Sequence, residues 1–192
     1  MEIILASASP RRKELMGHFP FPVTVRVSQA DEKMDSGKLP QDEVARISRN
    51  KARAVDRLED DIVIGADTIV VCDGVILGKP KDEADALRML SLLSGRAHQV
   101  MTGVWIIETD EVGNAVKEDG FTDVTTVDFW AFSEDEAREY VATKEPMDKA
   151  GAYGIQGKGM RLVKGINGDF FTVMGLPGGR LIRFLHDFVI TP

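Results

Sequence analysis

The sequence predicts an α/β domain built on a twisted mixed β-sheet flanked by helices. Two observations carry that reading. β-favouring apolar runs alternate with stretches of helical periodicity along the 192 residues, and Asp73-Gly74 and Asn167-Gly168 each mark a tight hairpin. Hairpins demand antiparallel neighbours, so the sheet is expected to be mixed rather than wholly parallel. Ligands of such sheets commonly sit in a crevice at the strand ends, so a substrate cleft is expected there.

A short strand over Glu2 to Leu5 opens the chain, followed by a turn and a helix start within LASASPRRKEL, Leu5 to Leu15. Ser9 suits the N-cap, and Pro10 suits the first helical position, where no backbone donor is needed. Arg11, Arg12 and Lys13 then crowd the first turn, where the helix dipole favours anions. A bound polyanion would reverse that penalty; a solvated basic helix end is the plainer alternative. Val23 to Val27 alternates like a strand, and Asp31 and Glu32 open a polar loop ending near Leu39 and Pro40. From Gln41 to Leu58 a helix is expected, with Val44, Ile47, Ala54, Val55 and Leu58 at helical spacing and Arg46, Arg49, Arg53 and Arg57 mainly on other faces. Lys51 breaks the pattern by lying inside the apolar stripe. Either its stem snorkels along the core, or its ammonium is aimed into a cleft.

Ile62 to Val71 is the strongest strand signal, and it contains Asp67. An unpaired carboxylate buried there would be costly, so Asp67 must meet a cation, a metal or backbone donors. The Asp-Gly hairpin then carries Val75 to Leu77 back towards Gly78, Lys79 and Pro80, making Lys79 an expected neighbour of Asp67. Asp82 caps the next helix, with Leu87, Leu90 and Leu93 inward and Ser94-Gly95 at its end. Gln99 to Glu108 and Phe121 to Phe132 read as strands joined by a polar loop from Thr109 to Gly120. Ser133 and Glu136 form a capping box for a helix that turns Ala137, Tyr140 and Val141 inward. The second hairpin is expected to pair Met160 to Ile166 with Asp169 to Met174. A last helix, entered from Pro177, Gly178 and Gly179, carries Leu181, Ile182, Leu185, Phe188 and Val189.

With 43% hydrophobic residues the chain can fill one core, so a single domain over residues 1–192 is expected. Lys and Arg number 24 against 31 Asp and Glu, a formal net charge of −7, which argues against a nucleic-acid coat or an anionic membrane surface as partner. No apolar run approaches the roughly 20 residues of a membrane span, and the N-terminus lacks a signal-peptide pattern. A cytoplasmic location is therefore expected. Cys72 is the single cysteine, so no internal disulfide can form, and His18, His98 and His186 lack zinc-ligand spacing. Any metal must be held by carboxylates, which favour Mg²⁺ or Mn²⁺.

The oddly placed polar residues are Arg11, Arg12, Glu32, Lys51, Asp67 and Lys79. Such a mixture suits phosphoryl chemistry: cations neutralise phosphate oxygens, carboxylates hold a divalent ion, and one carboxylate orients or deprotonates a water. It also suits a structural ion-pair network. The segment DKAGAYGIQGKG, Asp148 to Gly159, adds a loop dense in small residues, where a backbone can approach a ligand closely and the Gln156 amide can read the edge of a base.

These segments, in order along nearly the whole chain, resemble the Maf family: LASASPRRKEL, Asp31-Glu32, GADTIVV at Gly65 to Val71, GKP at Gly78 to Pro80, LSGRAHQVMTGV at Leu93 to Val104, DKAGAYGIQG, and VMGLP at Val173 to Pro177. The resemblance implies a nucleoside triphosphate pyrophosphatase with the α/β fold of house-cleaning inosine triphosphate pyrophosphatases, in a family named for inhibition of septum formation. It implies that Asp67 is the proton acceptor, that Arg12, Thr68 and Gln156 mark the branch acting on dTTP and UTP, and that Ser7, Arg11, Glu32, Lys51 and Lys79 serve triphosphate and metal binding. In this reading Glu32 and Asp67 position Mg²⁺ or Mn²⁺. The departures from the family lie at Glu108 to Asp119 and Met34 to Lys38. Two alternatives stay open: hydrolysis of 7-methyl-GTP or another noncanonical purine nucleotide, and a nucleotide-binding regulator of septum formation without turnover. A homodimer also stays open, as light scattering would test.

Overall fold

The computed structural model describes residues 2–35, 37–56 and 60–189. Strand β1 (Glu2–Leu5) lies between two parallel neighbours, β2 (Val23–Val25) and β3 (Asp61–Cys72). Strand β4 (Val75–Leu77) returns antiparallel along β3. With β5 (Ala97–Thr109), β6 (Ala115–Phe129) and β7 (Val163–Asn167), they make a seven-stranded sheet of order β2-β1-β3-β5-β6-β7, with β4 paired to β3 off this path. Parallel and antiparallel pairs coexist, as the hairpin signal at Asp73-Gly74 requires: both residues have positive φ, 49° and 78°. The helices are α1 (Pro10–Met16), α2 (Pro40–Arg53), α3 (Glu83–Leu93), α4 (Glu134–Ala142), α5 (Phe170–Met174) and α6 (Gly178–Val189). Among the described residues no helix is long and apolar enough to cross a membrane.

The chain forms two compact units, the first holding the described residues of Met1–Asp67, Thr102–Asp123 and Gly175–Pro192, the second holding Thr68–Met101 and Val124–Met174. In the first, α2 buries Val44, Ile47, Ser48, Lys51 and Ala52. Its approach to the strands is unusually close because two strand positions carry no side chain. A Cβ on Gly65 of β3 would collide with the Ser48 carbonyl and lie 2.6 Å from the Ala52 nitrogen, and one on Gly103 of β5 would lie 2.6 Å from the Val44 carbonyl oxygen. Gly65→Ala is therefore expected to cost about 3 kcal/mol or more, because backbone rather than a side-chain end must yield. A urea-unfolding midpoint unchanged by the substitution would refute this packing.

The second unit is filled by Val70, Leu77, Leu90, Leu93, Val127, Phe129, Tyr140 and Tyr153 among others. Asp82 caps α3 by accepting from the Asp85 nitrogen, and Ser133 and Glu136 cap α4 reciprocally, as expected. His98 is buried in this unit, edge-on to Phe129 and Tyr153, and its Nε2 shares a 2.9 Å hydrogen bond with the Tyr153 hydroxyl. Burial lowers its pKa from 6.5 to about 4. Between those values the unfolded chain binds the proton and the folded one does not, so stability falls as pH drops from 6.5 to about 4. The full loss is about 3 kcal/mol at 1.36 kcal/mol per unit. In His98→Phe the decline between pH 6.5 and about 5 should disappear, while the fall below it, from carboxyls such as Glu43 held at about 2 in the fold, should persist, as pH-dependent urea titrations would reveal.

Several elements differ from the sequence reading, among them β7, which begins at Val163 rather than Met160, and β6, which ends at Phe129 rather than Phe132. Residues 169–174 do not return as a hairpin strand: Phe170–Met174 is helix α5, and β7 pairs with β6 instead. Asp169 accepts a 2.9 Å bond from the Phe171 nitrogen, an N-capping contact that starts a helix directly after the Asn-Gly turn. The polar segment from Thr109 to Gly120 is mostly strand, because Asp110 folds the turn over residues 110–114 by accepting from the Val112 and Asn114 nitrogens at 3.0 and 2.8 Å. Glu118 of β6 is then satisfied by Arg49 at 3.0 Å, Arg53 Nε at 3.1 Å and Trp105 Nε1 at 3.2 Å. Helix α2 stops at Arg53, so Ala54 and Val55 follow it; Arg57 and Leu58 lie outside the described residues, as does Ser36 of the Met34 to Lys38 segment. Strand β2 stops at Val25, two residues short of Val27. Helix α6 buries Leu181, Leu185 and Phe188 as expected, while the side chain of Val189 lies outside the described set.

Candidate active site

Strand residues two apart share a face, so Gly65 and Asp67 both face α2. The close crossing at Gly65 brings Lys51, three residues beyond Ser48, onto Asp67: its Nζ donates to Oδ1 at 2.6 Å. The same Nζ lies 2.9 Å from Glu32 Oε1. Lys51 and Asp67 side chains are only 8% and 10% exposed, whereas Glu32 is 54% exposed. Lys51 thus does not snorkel to water. Its ammonium holds two carboxylates, one fixed in the sheet and one on a loop.

The Glu32 loop is pinned to α2. Glu43, fully buried, accepts from the Asp35 nitrogen at 2.6 Å and binds Arg46 through both oxygens, while Arg46 donates to the Lys33 carbonyl at 2.8 Å. The Arg46 bonds, opposed by burial and helped by the Asp35 amide, hold the Glu43 carboxyl down at about 2. Sequence reading missed both residues. The signal available was an acidic residue three before an arginine in the first turns of an amphipathic helix.

At the opening motif, Ser9 caps α1 by accepting from the Arg12 nitrogen at 3.4 Å, and Pro10 is the first helical residue, as expected. Arg12 turns inward and is 7% exposed. Its Nη1 donates to Ser7 Oγ at 3.2 Å and its Nε to the Gly175 carbonyl at 2.8 Å. Ser7 also accepts from the Ser9 nitrogen at 3.2 Å. The VMGLP segment thereby gains a physical role: Gly175, at φ 107°, presents its carbonyl to Arg12. Burial lowers the Arg12 pKa, the charges of Asp67 and Glu32 oppose that, and half-buried Arg11 reinforces it. Ser7, Arg11, Arg12, Glu32, Lys51 and Asp67 therefore all belong to the first unit, with Lys51 joining the two acids.

Thr68, Lys79 and Gln156 belong to the second unit. Thr68 is half-buried and follows Asp67 in β3. Val70 pairs with Leu77, so exposed Lys79, two residues past Leu77, lies on the side of Thr68. The Gly78 carbonyl accepts from the Gly151 nitrogen at 3.0 Å, which ties GKP to the glycine-rich segment. Gly151 has φ +67° and its Cβ would press on Val70 Cγ2 at 2.9 Å, so glycine is needed there. Gln156 is exposed within the turn that follows.

A buried lysine binding two carboxylates, with arginines at a neighbouring helix start, assembles the groups with which enzymes of phosphate-ester hydrolysis work: positive charge for phosphate oxygens and a carboxylate to take a proton. On a mixed α/β sheet, these groups mark a phosphohydrolase. The chain belongs to the Maf-like protein family, which it matches over residues 2–188. It is 49% identical over 189 residues to a dTTP/UTP pyrophosphatase of Bacillus velezensis, covering 98% of this chain and 97% of that one. Against a dTTP/UTP pyrophosphatase of Bacillus cereus it is 49% identical over 190 residues, covering 98% and 96%. Among solved structures, the Staphylococcus aureus Ham1 protein is similar over 85% of this chain and 80% of that one, at 18% identity and a TM-score of 0.46.

Proposed function

We propose that this protein hydrolyses dTTP and UTP between the α- and β-phosphates, releasing the nucleoside monophosphate and pyrophosphate, and so removes unwanted or modified pyrimidine nucleotides in the cytoplasm. The observation that carries the reading is the buried Lys51 ammonium between Asp67 and Glu32. Full-length similarity at 49% identity to a protein named dTTP/UTP pyrophosphatase supports it.

In the proposed mechanism Asp67 accepts the proton of the attacking water. Its Oδ1 accepts from Lys51, and in this mechanism Oδ2 takes the proton. The water oxygen bonds to the α-phosphorus, the bond from that phosphorus to the oxygen bridging to the β-phosphate breaks, and the pair of electrons leaves on pyrophosphate. Lys51, Lys79 and Arg11 neutralise charge gathering on the phosphate oxygens. Arg12, spent on Ser7 and Gly175, fixes the start of α1 and adds its charge from a buried position.

The donor set fits a hard divalent cation. Glu32 and Asp67 present carboxylate oxygens to one shared cation, and among the described residues no group of three or more His, Cys, Asp or Glu forms a protein cage. Two carboxylates completed by substrate phosphates and water is the way proteins hold Mg²⁺. When bound by Glu32 and Asp67, Mg²⁺ or Mn²⁺ would supply charge neutralisation on the triphosphate.

Base choice falls to Thr68 and Gln156. Uracil and thymine each present an N3–H donor between carbonyl acceptors, and one amide side chain offers the complementary acceptor and donor. The test is a nucleotide panel with purified protein and Mg²⁺, read as pyrophosphate released. Preference for dTTP and UTP is expected; preference for 7-methyl-GTP, or tight binding with no product, would refute the proposal.

A further inference from the structure

Gln156 is exposed, yet the backbone on both sides of it is clamped. Gly154, two residues before, donates its N–H to the Tyr140 hydroxyl at 3.0 Å. Lys158 and Gly159, just after it, donate theirs to Glu145 Oε2 and Oε1 at 2.9 and 3.0 Å. The clamps are one unit, because the Tyr140 hydroxyl donates to Glu145 Oε1 at 2.9 Å. A single carboxylate therefore gathers three donors, directly from one side of the turn and through a fully buried tyrosine from the other. Bonds from amides to an ionised carboxylate are about twice as strong as neutral ones.

The glycines around Gln156 fit this carboxylate closely. A Cβ on Gly157, at φ +72°, would lie 2.8 Å from Glu145 Oε2, and one on Gly159 would lie 2.6 Å from the Tyr140 hydroxyl. Glu145 is itself held, its carbonyl accepting from Lys149 Nζ at 2.6 Å and its nitrogen donating to Thr143 Oγ1 at 3.3 Å. Burial opposes its ionisation, but the Lys158 and Gly159 amides, aided by Tyr140, hold the carboxyl below its ordinary range. None of this serves phosphate chemistry. Both Glu145 oxygens are engaged by donors of the turn or of Tyr140, so the carboxylate shapes the segment it binds.

We infer that Glu145, acting through Tyr140 and the amides of residues 154, 158 and 159, is a positioning residue for base selection: it sets the backbone that presents Gln156. The inference rests on Gln156 being the base contact proposed above. Glu145→Gln replaces one acceptor oxygen by an amide group that cannot accept, confronting an N–H donor with another donor. Tyr140→Phe removes the hydroxyl that accepts from Gly154 and donates to Glu145 but leaves the Lys158 and Gly159 bonds to the carboxylate, and it is the milder companion should Glu145→Gln fail to fold.

The experiment compares dTTP with dCTP, which differ in the donor and acceptor pattern of the base edge, in wild type, Glu145→Gln, Tyr140→Phe and Gln156→Ala, alongside hydrogen exchange of residues 154–159. In Glu145→Gln, preference for dTTP in kcat/KM should fall about tenfold, with the loss mainly in KM, as expected for one misplaced hydrogen bond. The Lys158 and Gly159 amides should exchange faster. Tyr140→Phe should move preference and Gly154 exchange in the same direction, by about threefold, the weaker effect expected when both direct amide bonds to the carboxylate remain. Unchanged preference in both clamp variants while Gln156→Ala loses it would overturn the inference. Unchanged preference in Gln156→Ala would instead overturn the underlying assignment of Gln156, and the inference with it.

Discussion

Asp67→Asn is expected to lower kcat for dTTP by about a thousandfold, within the range that general-base groups supply, while the fold persists. Asparagine keeps the shape of the carboxylate but cannot take a proton from water. Lys51 retains Glu32 at 2.9 Å, so its charge is not left without a partner. Steady-state pyrophosphate release, with circular dichroism to verify folding, provides the check. Near wild-type turnover in a folded variant would eliminate Asp67 as the base.

Lys51→Met is expected to be damaging in two separable ways. It keeps the stem volume in the apolar stripe of α2 but removes the cation from a site where both Lys51 and Asp67 are about nine-tenths buried. Breaking a buried pair by deleting one partner costs about 3 kcal/mol or more, because the other charge is stranded. For a protein of this size, that lowers Tm by about 6 to 12 °C. Turnover should fall at least about a hundredfold, since the orienting contact to Asp67 Oδ1 and a phosphate-facing charge vanish together. The double variant Lys51→Met/Asp67→Asn should recover part of the stability, a less than additive cycle, yet remain inactive. Recovery of activity along with stability would mean the pair is only structural.

The parts of this arrangement that break local rules were the readable ones. Lys51 interrupts an apolar stripe and Asp67 interrupts an apolar strand; the carboxylate demanded a partner, expected in Lys79, and the structure supplies Lys51 instead. Ser9 and Pro10, Asp82, and the pair Ser133 and Glu136 announced three helix starts through capping chemistry alone. What stayed hidden depends on contacts between residues distant in sequence. The run 117–120 reads as a loop because it is polar, but Glu118 is neutralised by Arg49 and Arg53 of α2, more than sixty residues earlier. Gly175 offers a carbonyl to Arg12, which no periodicity reports. Glu43 and Glu145 resemble surface acids in sequence, and only their accumulated N–H donors distinguish them. Asn167-Gly168 was misleading because the same turn can deliver the chain to a strand or, when an aspartate follows, to a helix cap.

In the proposed reaction Asp67, held by Lys51, activates a water for attack on the α-phosphorus. Hydrolysis of dTTP in ¹⁸O-labelled water, with mass spectrometry of both products, tests it most directly. The label is expected in dTMP and not in pyrophosphate, and labelled product should be lost in Asp67→Asn. Label in pyrophosphate or in orthophosphate would place the attack at the wrong phosphorus and contradict it.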